Sequence, residues 1–93
     1  MNTTLRKGDK GDQVRLLQRM LAERGLIPEE SVSGFFGAAT SKAVIAYQIR
    51  AGIIRKESDT GAGRVGVSTR LHMEADARRT LYELVRANGW DAI

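Results

Sequence analysis

The stretch that decides the fold is residues 34–48, GFFGAATSKAVIAYQ. It places the only two phenylalanines side by side between two glycines and runs straight into a pattern of helical period. Gly34 and Gly37 permit a tight turn, and Phe36 is the natural anchor of the following helix in a core. Adjacent residues in an extended turn point apart. If Phe36 points inward, Phe35 points elsewhere, either to solvent, where it can stack on a sugar, or beneath a later segment. The helix itself is expected from Ala38 to about Arg50, closed by Gly52. Val44, Tyr47 and Ala51 form its apolar stripe, Gly37 is its cap, and Thr40 bonds within its first turn. Ile45 and Ile49 fall off that stripe and are expected against a third helix or the segment after residue 52.

Working outward, LRKGDKGD at 5–12 reads as a polar glycine turn that feeds another helix, with Asp9 or Asp12 as cap. Val14, Leu17, Met20 and Leu21 make its stripe, Arg15, Arg19 and Glu23 face away, and Gly25 stops it. LIPEESVSGFFG is a connector, marked by its proline, serines and glycines. Residues 53–73 change character: two β-leaning pieces flank the polar SDTGAG, which predicts a β-hairpin or an ordered loop. A third helix is expected from about Glu74 to Asn88, with Ala77, Leu81, Leu84 and Val85 as its stripe and Gly89 as its stop. The first two helices echo each other at a shift of 30, pairing Val14 with Val44, Leu17 with Tyr47, Gln18 with Gln48 and Leu21 with Ala51. A fainter echo pairs Thr40 with Thr80 and Gln48 with Asn88. These copies are too few for a solenoid and suit a compact three-helix unit.

The totals narrow the function. Ninety-three residues suit one domain over 1–93 with an economical core. Hydrophobic residues at 42% and charged residues at 28% are an ordinary globular balance. The chain has no cysteine, which removes disulfides, thiol nucleophiles and cysteine-based zinc sites. A net charge of +4 suits an anionic partner. Arg78, Arg79 and Arg86 are interleaved with Glu83 and follow Glu74 and Asp76, which reads as a solvated helix face and speaks against nucleic acid. His72 is the only histidine and has no ligand cluster, so no metal is expected. Glu29 and Glu30 are a solvated turn and not a glycosidase pair. Ser68, His72 and Asp76 lack a nucleophile elbow and carry no triad. No apolar run approaches a membrane span, and MNTTLRKGDKGDQ shows no signal-peptide h-region.

The spaced positions resemble the bacterial peptidoglycan-binding domain attached to cell-wall hydrolases and endolysins. Leu5, Gly8, Gly11, Val14, Leu17, Gln18, Leu21 and Gly25 match the first half of its pattern. Gly34, Phe36, Gly37, Thr40, Ala43, Val44 and Gln48 match the second. The chain departs from it with Ser33 in place of Asp, Tyr47 in place of Phe, and the 53–73 insert in place of a short link. Its closing G-x-x-T-x-x-x-L aligns with Ala77, Thr80 and Leu84. The fold is also similar to the prodomain of matrix metalloproteinases, but their zinc-ligating cysteine is absent.

The resemblance implies a mainly α, compact three-helix bundle that binds peptidoglycan without catalysis and without a cofactor. It implies an attached or associated hydrolase as partner. It further implies the cell wall or periplasm as the site of action, to be reached, with no signal peptide visible, by release on lysis or another route. Phe35, Tyr47, Gln48 and Arg50 are the candidate ligand contacts, with Arg64 and Arg70 from the insert. Arginine and glutamine suit the carboxylates and amides of peptide stems. Gln18 is expected instead to bond loop backbone and fasten the glycine turns. The alternatives are a protein-interaction module that uses the insert and a small cell-wall hydrolase.

Overall fold

The computed structural model describes residues 4–87. Three α-helices follow one another: α1 (Asp12–Glu23), α2 (Ala38–Arg50) and α3 (Val67–Ala87). A short 3₁₀ turn, Glu29–Ser31, lies between the first two. The three-helix expectation holds, and so do the expected limits of α2.

Glycine backbone conformations set the helix ends. Gly11, at φ +128°, is the N-cap of α1. Asp12 is instead in the first turn. The Asp9 carboxylate accepts the Arg6 amide at 3.0 Å and closes the preceding turn. Neither aspartate caps the helix with its side chain. Both α1 and α2 end in the same pair of backbone hydrogen bonds. The Leu26 amide returns to the Leu21 carbonyl and Gly25 to Ala22; Ile53 returns to Gln48 and Gly52 to Ile49. Gly25 and Gly52 supply the left-handed residue that this ending requires, at φ +73° and +77°.

The N-terminal loop is zipped to the phenylalanine turn. Gly8 donates to the Phe36 carbonyl, Phe36 donates to Asp9, and Gly11 donates to Gly34. Phe36 is wholly buried in a core with Val14, Leu17, Leu21, Ile27, Ala43, Val44, Tyr47, Val65 and Met73. The turn at 34–37 therefore fastens α2 to α1 through Phe36. Phe35 remains exposed at 53%, and it lies against Gly37, where an added Cβ would sit 3.1 Å from its ring.

The segment after α2 corrects the hairpin expectation. Among the described residues there is no strand, only isolated bridges at Leu5–Val65 and Lys10–Phe35. Residues 55–64 form successive turns. Asp59 accepts the amides of Arg55 and Lys56, and Gly61 and Gly63 take φ of +90° and +80°. A hairpin would need these backbone groups to face a partner strand. They face the Gln48 side chain instead.

The helix after it begins at Val67, seven residues before the expected Glu74, so the β-leaning VSTRLHM is its first two turns. Two of its β-favouring residues, Val67 and Leu71, are exposed on the helix surface. The early start moves the packed face to Thr69 and Met73. Ala77 and Leu81, expected in the core, are exposed, Leu81 at 62%. The side chains of Leu84 and Val85, and the expected stop at Asn88 and Gly89, lie outside what the structure describes. Ile45 packs beside the Gly63 turn as expected of the insert, whereas Ile49 is exposed.

Candidate ligand-binding surface

Two buried glutamines organise the body. Gln18 Nε2 donates to the Phe35 carbonyl and to Thr40 Oγ1, both at 2.9 Å. Its Oε1 accepts the amides of Ser33 and Gly34 at 3.0 and 2.8 Å. Thr40 thus serves Gln18 and not its own helix turn. Gln48 repeats the arrangement around the next turn. Its Nε2 donates to the carbonyls of Gly61 and Arg64 and to Thr69 Oγ1, and its Oε1 accepts the Gly63 amide at 2.9 Å. Every polar atom of its amide is used inside the protein, and the residue is buried. Gln48 therefore fastens a loop as Gln18 does, although the sequence offered it as a ligand contact.

The same geometry corrects the register of the closing motif. The threonine equivalent to Thr40 is Thr69, preceded by Gly66 and followed by Met73, so G-x-x-T-x-x-x-(apolar) lies at 66–73. Thr80, which the sequence suggested for that place, is exposed and bonds only the Asp76 carbonyl one turn back. The signal was present in the sequence: GRVGVST at 63–69 matches GFFGAAT at 34–40 in spacing.

Tyr47 is also buried, at 3% exposure, so its ring is not a platform for a sugar. Its hydroxyl donates to Asp76 Oδ2 at 2.7 Å. Burial, this hydrogen bond and the Asp76 charge push the phenol well above its ordinary value, against an opposing pull from Arg24. Arg24 lies 3.8 Å from Asp76 Oδ2 and 6.0 Å from the Tyr47 ring centre. Arg79 approaches Asp76 Oδ1 at 4.0 Å. Arg50 and His72 complete the walls of a cleft of about 300 Å³ between the end of α2 and the middle of α3. Of the candidate contacts, the structure brings Tyr47 and Arg50 together here.

The other candidates lie elsewhere. Arg64 is on a separate polar hollow beside Thr4, Ile53 and Ser68. Arg70 borders a mostly apolar groove floored by Leu5, Leu16, Met20, Val65 and Met73. Phe35 lines neither the cleft nor these two hollows. By helical geometry the cleft residues His72, Asp76 and Arg79 and the groove residues Arg70 and Glu74 fall on roughly opposite sides of α3, with the buried Met73 between them. Arg24, Asp76 and Arg79 were not singled out as contacts from the sequence. With α3 started at Val67, Thr69, Met73 and Asp76 fall on one face at i, i+4 and i+7, and that spacing would have pointed to Asp76. Among the described residues no group of three or more His, Cys, Asp or Glu is placed to hold a metal. None of the described helices is long and apolar enough to cross a membrane.

The described residues thus form a helical body held by glutamine-bound glycine turns, with shallow hollows on its surface. Residues 10–54 match the putative peptidoglycan binding domain family. A crystal structure of a Burkholderia AP3 phage endolysin superposes with a TM-score of 0.67 at 33% identity, covering 80% of this chain and 26% of that one. The chain therefore spans about a quarter of that endolysin's length. Among curated proteins there is no significant match.

Proposed function

We propose that the chain binds bacterial cell-wall peptidoglycan without cleaving it and holds an attached or associated hydrolase at that insoluble substrate. The family match over residues 10–54 carries this reading. The likeness to a phage endolysin supports action at the cell wall. Tethering of this kind raises the local concentration of a catalytic domain without any new catalytic contact. Asp76, the carboxylate that lines the cleft among the described residues, is engaged by a phenol and two guanidiniums. The test is incubation of the isolated chain with purified, protein-free sacculi. The chain is expected to pellet with them and to release no soluble sugar or peptide. Release of fragments would establish a hydrolase instead.

A further inference from the structure

The geometry points to the cleft between α2 and α3 as a carboxylate site that reads the peptide stems of the wall and not its glycan strands. This inference rests on the peptidoglycan reading and deepens it. Three arginines, Arg24, Arg50 and Arg79, and one carboxylate, that of Asp76, line the cleft. The cleft's arginines thus exceed its carboxylate by two positive charges.

The groups differ in how they are held. Arg24 is largely buried, tied to Asp76 and set beside the Tyr47 ring. Tyr47 spends its proton on Asp76. These groups form a fixed wall, which lowers the ordering cost of binding. Arg50 is exposed at the end of α2, and its guanidinium has no hydrogen bond or ion pair among the described residues. Arg79 is 71% exposed and only loosely paired, at 4.0 Å. Two guanidiniums are therefore available to a carboxylate, which they recognise with paired N–H donors. Glu23, in the adjoining hollow with Arg24 and Arg79, limits the anionic attraction on that side.

Sugar recognition asks for a different surface. It commonly uses an exposed aromatic face, and the aromatic ring in this cleft is buried and turned to Asp76. Phe35, exposed among the described residues, is not part of the cleft. The chemistry on offer is cationic and fits the charged ends and side-chain carboxylates of a short peptide.

The test is a titration of the full chain, followed by NMR at His72 and at the backbone around Arg50 and Arg79. Three soluble probes are compared: a stem tetrapeptide, the same peptide with its carboxylates amidated, and glycan strands freed of peptide. The expected result is perturbation of the cleft signals by the free peptide and at least tenfold weaker binding of the amidated one. Glycan strands should leave those signals unmoved. An R50Q/R79Q double variant alters two exposed side chains, so it should keep the wild-type fold while losing tenfold or more in peptide affinity. Equal binding of free and amidated peptide, perturbation of the cleft by glycan alone, no response to the free peptide, or undiminished binding by the variant would each overturn the carboxylate site. Wild type that ignores intact sacculi would sink the wall reading separately, and the peptide titration still decides the cleft.

Discussion

At the scale of single residues, the two glutamine amides do the most to hold the body together. Each makes four hydrogen bonds, three to the backbone of a glycine turn and one to a threonine hydroxyl. Gln48→Ala would leave the buried Gly63 amide and the Arg64 carbonyl without a partner. Unsatisfied buried groups cost more than the bond itself contributes, so a loss of about 2–4 kcal/mol is expected. Urea denaturation checks this, and a loss below about 0.5 kcal/mol would return Gln48 to the surface role suggested by the sequence. Tyr47→Phe is a milder change, because Asp76 keeps its arginines. It should cost about 1 kcal/mol near neutral pH. The pH dependence follows from the raised phenol. The fold retains a proton that the unfolded chain gives up above the ordinary phenol range of about 10. The stabilisation is complete below that pH and declines as pH rises beyond it. Wild type should therefore lose thermal stability more steeply above pH 10 than Tyr47→Phe, and parallel profiles would contradict the buried hydrogen bond.

At the scale of elements, α3 carries the main revision. Its start at Val67 sets Thr69 on Gln48 and leaves Thr80 in solvent. Thr69→Ala is expected to cost about 1–2 kcal/mol, and Thr80→Ala to stay within about 0.5 kcal/mol. Thermal melts of the pair decide the register, and the reverse order would restore the alignment at Ala77, Thr80 and Leu84. The sequence made α1 and α2 legible because their apolar periods run unbroken between glycines that must end them. It also made Phe36 legible as an anchor. The start of α3 was hidden because Val65, Val67 and Thr69 alternate like a strand. Nothing local reveals that a glutamine some twenty residues away satisfies the backbone before it. The cleft was half legible: Tyr47 and Arg50 sit on one helix end, but Arg24 and Asp76 join them only through tertiary packing.

At the scale of the whole molecule, the long dimension of 44 Å against 27 and 24 Å reflects the 21-residue α3. Its exposed Ala77–Leu81 turn lies beyond the glutamine-bound turns that hold the first part of the helix. The proposed cleft is shallow, so its recognition of the wall is expected to be modest for one module, and the proposed tethering to a hydrolase would add to it. A cationic cleft also makes that recognition sensitive to salt. The most direct test of the central claim is a co-sedimentation isotherm of the isolated chain on purified, protein-free sacculi, measured across a salt series with folding checked by circular dichroism. The account predicts saturable binding that weakens as salt rises. A folded chain that stays in the supernatant even at low salt would contradict it.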